Sequence, residues 1–147
     1  MKILYFTLGI LLVLITVFIN IDHFKSQQPK IEINGHVFSL YLAKTPSEQD
    51  TGLAKFSKID KNQGMLFIFS ESDYYSFWMK NMKFPIDIIF INKNKIVDIF
   101  KNVPTQKNND NLPIYKTHKK ADRVLEINSG LSKEYKIEVG TEVRINL

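Results

Sequence analysis

Residues 77–90 read FWMKNMKFPIDIIF and combine features that decide the fold with features that suggest a site. The stretch contains Trp78, the only tryptophan of the chain, followed by Lys80 and Asn81. It ends in a run typical of a buried strand, which Asp87 interrupts. Because buried polar groups cost free energy unless they are hydrogen-bonded, each of these side chains is either a satisfied structural element or part of a site.

Apolar runs within this stretch and on both sides of it predict short strands. IDIIFIN (86–92) and KIVDIF (95–100) flank an asparagine-containing turn and predict a hairpin. Asn34 and Gly35 separate two further apolar runs, and both residues tolerate the positive φ that a type I′ turn requires. The other predicted strands are GMLFIF (64–69), its neighbour YYSFWM (74–79), RVLEIN (123–128) and a last strand around 142–146.

Two short helices are predicted between the strands. Residues 45–48 form a capping box, with threonine as N-cap, proline at the first helical position and glutamate three residues after the cap. This predicts a helix over residues 46–53. A second start signal at 128–129 predicts a short helix that runs through Tyr135.

Together, these elements predict one domain of mainly β structure, in the α+β class. Residues 31–147 contain about seven to eight short strands and two short helices, which favours a small barrel or sandwich. Residues 101–122 are rich in lysine and asparagine and show no hydrophobic period. A structureless connection of that length is uncommon in a compact domain, so this segment is predicted to be a functional or a disordered loop.

The N-terminal segment has a different character. Residues 3–21 contain no charged side chain. At about 1.5 Å per residue, this run is close to the length that crosses roughly 30 Å of hydrocarbon. We therefore expect a transmembrane signal anchor over residues 1–21 and a polar tether at 22–30. The alternative is a cleaved signal peptide and a secreted domain, although the small-x-small cleavage pattern is missing around residues 18–24.

Charge and cysteine content narrow the classes of function. The net charge is +5, and three lysines against one aspartate in the first thirty residues leave +3 for the domain. That balance fits a solvated surface and is too small to argue nucleic-acid binding. The absence of cysteine excludes disulfides, thiol nucleophiles and thiolate metal sites. Because His23, His36 and His118 lack ligand-like spacing and no nucleotide or serine-hydrolase motif occurs, neither a metal nor a cofactor is expected.

Two carboxyl groups stand inside apolar runs, Asp87 in IDIIF and Glu126 in VLEI. One interpretation makes Asp87 and Glu126 the acid and base of an enzyme. The other gives each a structural role, in which it accepts hydrogen bonds from backbone N–H groups or from Lys80. Lys80 and Asn81 follow one predicted strand and precede the next, so we expect them on a loop near Trp78 and Asp87. We also expect an ion pair between Lys80 and Asp87.

The adjacent aromatic residues Phe77 and Trp78 also have two interpretations. Neighbouring residues of a strand point to opposite faces, so these two side chains cannot share one core. The outer one either packs against an adjoining element or lines a groove where a sugar or peptide stacks.

Five motifs make the chain similar to a known family. They are Thr45…Glu48…Gly52-Leu53, GMLFIF at 64–69, FWMKN at 77–81, PIDIIFI at 85–91 and VLEINSG at 124–130. Through these motifs, residues 37–145 resemble the bacterial and archaeal family catalogued as domain of unknown function 192.

The resemblance implies a compact β-rich domain, often secreted or held behind an N-terminal signal or anchor, and it implies no activity. Two departures from the family pattern occur. Ala54-Lys55-Phe56 stands where the family usually has a Met-Phe-Arg-like segment. If that arginine is a partner of the buried carboxylates, Lys55 replaces it with a less bidentate contact. Met82 stands where the family often has threonine.

These observations favour an uncharacterised, membrane-anchored domain outside the cytoplasmic membrane that serves as a binding or accessory module of the cell envelope. The expected ligand-binding residues are Trp78, Lys80, Asn81, Asp87 and Glu126. The expected partners are the membrane, through residues 3–21, and an envelope protein or a small polar ligand. The alternatives are a hydrolase-like envelope enzyme that uses Asp87 and Glu126, and a purely structural or assembly role.

The predicted topology can be checked with a reporter that works only outside the cytoplasm. Fused after Leu147, this reporter should be active, because a short tail with one basic residue, Lys2, is how exported anchors commonly begin. A reporter that works only in the cytoplasm, fused at the same position, serves as the control. Activity of that control alone would contradict the prediction.

Overall fold

The structure is a computed structural model that describes residues 9–12, 28–108 and 110–147. Most of the predicted anchor at 1–21 and of the tether at 22–30 lies outside the described residues. Within the described part, none of the helices has the length and apolar character that a membrane span needs.

Nine strands and three short helical segments make up the described part of the domain. The helical segments are α1 (Pro46–Thr51), the 3-10 helix that follows it (Gly52–Lys55) and α2 (Leu131–Glu134). The strands are β1 (Lys30–Ile33), β2 (His36–Ala43), β3 (Gln63–Asp73), β4 (Ser76–Phe77), β5 (Ile86–Asn92), β6 (Lys95–Val103), β7 (Tyr115–Lys116), β8 (Ala121–Asn128) and β9 (Val143–Asn146).

Seven of the strands form one sheet in the order β6-β5-β8-β3-β2-β1-β9. All neighbours are antiparallel except β2 and β3, which are parallel and are connected through α1 and the 3-10 helix. β4 and β7 pair separately as a two-stranded sheet. The predicted mainly β architecture is confirmed.

The large sheet curls into a half-barrel whose two edges meet at one end. Lys95, at the start of β6, forms an antiparallel bridge with Glu142, just before β9. Backbone N–H groups support this contact: Ile96 donates to Thr141 at 3.0 Å and Val143 donates to Asn94 at 2.9 Å. Pairing part of both edges satisfies backbone groups that an open edge would expose.

Both faces of the sheet are covered around β5, which is buried at every position except its last residue. Alternate residues of β5 enter separate cores. Ile89 and Ile91 pack in a cluster that includes Leu131 from α2. Ile88 and Phe90 pack in a second cluster that includes side chains of the 3-10 helix and of the loop around residue 79.

The predicted local signals are mostly confirmed. Asn34 and Gly35 both have positive φ, 51° and 79°, and connect β1 to β2. The capping box is present: Thr45 Oγ1 accepts the N–H of Glu48, whose carboxylate accepts the N–H of Thr45. α1 ends earlier than predicted, and the chain continues as a 3-10 helix. α2 begins later than its start signal.

Two of the predicted segments were wrong. YYSFWM (74–79) was expected to be a strand beside GMLFIF, but only residues 76–77 are extended, and they pair with β7. The reason is that β2 and β8 already occupy both sides of β3. The loop predicted at 101–122 is shorter, because β6 continues to Val103, β7 forms inside the segment and β8 begins at Ala121.

Candidate functional site

A half-open cavity of about 330 Å³ lies between α1 with its 3-10 helix and the segment that carries β4. Its aromatic wall consists of Phe67, Phe69, Tyr75, Phe77 and Trp78. Its polar side chains include Asp50, Lys80 and Glu126. We call it the Trp78 cavity. Its volume lies at the lower end of the range for ligand sites, roughly 300 to 1,000 Å³.

Glu126 supplies a carboxyl group at the buried side of the Trp78 cavity. The residue lies in β8 opposite Met65 of β3 and Ile88 of β5, and it is only 4% exposed. Burial raises its pKa to about 8, while a hydrogen bond from the Leu53 backbone N–H acts in the opposite direction. The carboxyl group is therefore mostly protonated at neutral pH.

The Oε2 atom of Glu126 has no hydrogen-bond partner. Among the described residues, three other buried side-chain atoms share this state, on Ser72, Arg123 and Ser132, and none of these residues lines the cavity. A buried polar atom without a partner costs about 1 to 3 kcal/mol. Glu126 therefore combines this free-energy cost with a place in the wall of the cavity.

Gly52 keeps that space open. Its φ of +52° is a conformation that glycine adopts readily. A Cβ atom at this position would lie 3.7 Å from Glu126 Oε2 and 3.3 Å from Cζ of Phe67. A larger residue would therefore be strained and would fill the space beside the carboxyl group.

The adjacent aromatic residues take the two positions that strand alternation predicts. Phe77 points inward and forms edge contacts with Phe67 and Phe90, at centroid distances of 4.9 and 5.7 Å. Trp78 is 46% exposed. The ammonium of Lys80 lies 5.6 Å from the centre of a Trp78 ring, within the range of a cation–π contact.

The structure brings together part of the predicted set of site residues. Trp78, Lys80 and Glu126 line the Trp78 cavity, and Asn81 lines an adjoining recess together with Lys80 and Lys55. Asp87 lies elsewhere. No three histidine, aspartate or glutamate side chains converge as metal ligands anywhere in the described ranges.

Asp87 is fully buried and accepts three backbone hydrogen bonds. Its Oδ1 accepts the N–H groups of Asn102 at 2.7 Å and Gly130 at 3.2 Å, and its Oδ2 accepts that of Ser132 at 2.8 Å. The expected Lys80–Asp87 ion pair is therefore wrong. Asp87 instead ties the end of β6 and the start of α2 to β5.

The sheet also separates Asp87 from Glu126. Asp87 pairs with Ile127 and Ile88 pairs with Glu126, so the two carboxyl groups point to opposite faces. Opposite faces of a covered sheet cannot present one substrate to both groups. The geometry therefore does not support their use as an acid–base pair.

The sequence-based site prediction missed Asp50, Gly52 and Tyr75. Gly52 belongs to a motif that this chain shares with the family it resembles. The capping box just before it is the signal that could have placed this part of the chain in the wall of the cavity. Asp50 and Tyr75 lack such a signal, because they reach the cavity only through packing of segments distant in sequence.

A family model described as uncharacterised ACR, domain of unknown function 192, matches residues 29–145. The chain belongs to this family. The match confirms the resemblance seen in the motifs. Among curated proteins, none matches the chain.

Two solved structures resemble this member of the domain of unknown function 192 family. A protein of unknown function from Novosphingobium aromaticivorans is 30% identical, with 80% of this chain and 83% of that chain covered and a TM-score of 0.70. A protein from Sinorhizobium meliloti, named as a candidate transcription regulator, is 28% identical, with 80% and 92% covered and a TM-score of 0.70.

Replacing Asp87 should test its structural role. Asp87→Asn should lower the free energy of unfolding by about 2 to 4 kcal/mol, because an amide cannot accept all three backbone hydrogen bonds in this orientation. Thermal and chemical unfolding followed by circular dichroism measure the loss. The exposed Asp60→Asn is the matched control and should change stability by less than about 0.5 kcal/mol. Equal stability of both variants would contradict the assignment.

Glu126 should make stability depend on pH. Its folded-state pKa of about 8 lies above the ordinary value of 4.5, so the folded state holds a proton that the unfolded state releases. The contribution of Glu126 is fully present below about pH 4.5 and is lost as the pH rises through about 8, a change of several kcal/mol. Glu126→Gln should flatten this part of the stability profile, whereas the exposed Glu134→Gln should leave it in place. An unchanged slope in Glu126→Gln would refute the buried, protonated carboxyl group.

Proposed function

We propose that this protein is a binding module that takes a small polar ligand in the Trp78 cavity. One observation carries the proposal: a buried carboxyl group with an unpartnered oxygen lies in the wall of a cavity that also has an exposed indole at its wall. Apolar and aromatic walls with a few polar groups are typical of small-molecule sites.

Binding is favoured over acid–base hydrolysis because the two buried carboxyl groups lie on different faces of the sheet and differ in their hydrogen bonds. Both oxygens of Asp87 accept backbone hydrogen bonds on one face of the sheet. Glu126 alone reaches the Trp78 cavity on the other face. The polar group that is free to meet a ligand is thus Glu126.

The proposal includes an anchor in the cytoplasmic membrane, with the domain outside as an accessory module of the cell envelope. The uncharged run at 3–21 supports the anchor. The family match starts at residue 29, so that run lies outside the matched domain. A domain charge of +3 gives little attraction for nucleic acid, which argues against the regulator role in the name of the Sinorhizobium meliloti protein.

Ligand binding can be followed through the fluorescence of Trp78, since no other tryptophan contributes to the signal. Cellobiose, choline, succinate and trialanine represent neutral, cationic, anionic and peptide ligands. At least one of these probes should change the emission in a saturable way, because the exposed indole forms part of the cavity. Isothermal titration calorimetry should give the same affinity.

The control exploits a second exposed aromatic residue with a lysine above its ring. Tyr74 is 49% exposed, has Lys120 at 6.0 Å and does not line the cavity. Trp78→Ala should weaken the calorimetric binding at least about tenfold, and Tyr74→Ala should leave it unchanged. If no probe binds, or if both variants bind as the unmodified protein does, the proposal fails.

A further inference from the structure

One polar atom at the buried side of the Trp78 cavity has no hydrogen-bond partner. One carboxyl oxygen of Glu126 accepts the Leu53 N–H, and Oε2 has no partner. With the group protonated at neutral pH, the carboxyl offers an O–H donor to whatever occupies the cavity. A hydroxyl group suits this position, because it can accept that hydrogen bond.

The wall of the cavity favours a ring with a flat, weakly polar face. Phe69 and Tyr75 stack on each other at a centroid distance of 3.6 Å, so each has one face already covered. Trp78 also has a group over one ring face, the Lys80 ammonium, but it has the more exposed surface, with 46% of the residue accessible. An indole pairs well with the C–H face of a ring whose polar groups lie at its edge.

The charges around the cavity favour a neutral ligand. Asp50 and Lys80 carry opposite charges, and the protonated carboxyl group of Glu126 adds none at neutral pH. A quaternary ammonium ligand on the indole would meet the Lys80 ammonium, which already lies 5.6 Å from a Trp78 ring. An anionic ligand would meet Asp50 at the same cavity.

We propose that the Trp78 cavity binds a neutral saccharide, whose ring stacks on Trp78 while one hydroxyl group accepts a hydrogen bond from Glu126. This inference rests on the proposed binding function and specifies the class of ligand. The volume of about 330 Å³ suits a mono- or disaccharide unit, and the half-open shape lets a longer glycan continue outward.

The test uses the full chain in a detergent without a sugar headgroup, because glycoside detergents would compete. Cellobiose and N,N′-diacetylchitobiose are titrated by calorimetry, with choline, succinate and trialanine as the charged and peptide probes. At least one disaccharide should bind more tightly than all three. Co-sedimentation with isolated cell-wall glycan identifies a polymer as the source of the saccharide, whereas binding of the disaccharides alone identifies a soluble one.

Variants separate stacking from hydrogen bonding. Trp78→Ala should weaken disaccharide binding by at least about tenfold, and Tyr74→Ala should not change it. Glu126→Leu should also weaken binding by at least about tenfold, and Glu126→Gln should recover most of that loss, because its amide again offers a donor. Trp78 is 46% exposed, so its replacement disturbs the fold less than a change at the buried Glu126 and keeps the test valid if a Glu126 variant fails to fold.

The pH dependence of disaccharide affinity distinguishes a hydrogen bond between Glu126 and the ligand from a purely structural role of Glu126. Disaccharide affinity should shift between pH 7 and pH 9, because the carboxyl group loses its proton around pH 8 and turns from a hydrogen-bond donor into an acceptor. The other titratable groups at the cavity are Asp50, Lys80 and Tyr75, whose hydroxyl donates to the Glu71 carbonyl oxygen. These groups remain in Glu126→Gln, so its affinity should stay level over the same range.

Three results would overturn the saccharide assignment. Binding of choline, succinate or trialanine that depends on Trp78, without disaccharide binding, would leave the binding function in place and refute the ligand class. Disaccharide binding that Trp78→Ala does not weaken would place the sugar elsewhere. Absence of binding by every probe would overturn both the ligand class and the proposed function.

Discussion

The antiparallel pairing of β5 with β8 is the constraint on which the rest of the structure depends. Both strands are buried over most of their length, so a shift by one residue would exchange their inward and outward faces. This register sends Asp87 to one face and Glu126 to the other. On the first face, three backbone N–H groups satisfy the carboxylate; on the second, one carboxyl oxygen is left for the Trp78 cavity.

Elements with a local cause were predictable from sequence. The turn at Asn34 and Gly35 and the capping box before α1 depend on neighbouring residues alone, and both are present. The strand predicted at YYSFWM was wrong, because the residue pattern of this segment does not show which strand edges are free for pairing. The extension of β6 to Val103 was also hidden, since it depends on pairing with β5 and on the bond from the Asn102 N–H to Asp87.

The sequence indicated which residues of the candidate site are unusual, but only partly which of them lie together at the cavity. Trp78, Lys80 and Glu126 stood out because aromatic or polar side chains interrupt strand-like runs, and all three line the cavity. Asp87 stood out for the same reason and belongs to the opposite face. Strand alternation assigns the faces of residues within one strand. The faces of residues on two strands can be compared only when their register is known, and the pattern of a single strand does not reveal it.

The cost of burying Glu126 has to be balanced within a fold of ordinary stability. An unsatisfied buried oxygen costs about 1 to 3 kcal/mol, a considerable part of the roughly 5 to 15 kcal/mol by which domains are stable. The backbone at Glu126 is fixed, because β8 is held between β3 and β5. Asp87 strengthens this restraint from the opposite face, since its three hydrogen bonds fix β5 to the end of β6 and to α2. The satisfied carboxylate therefore helps to keep the unsatisfied carboxyl group in position in the wall of the Trp78 cavity.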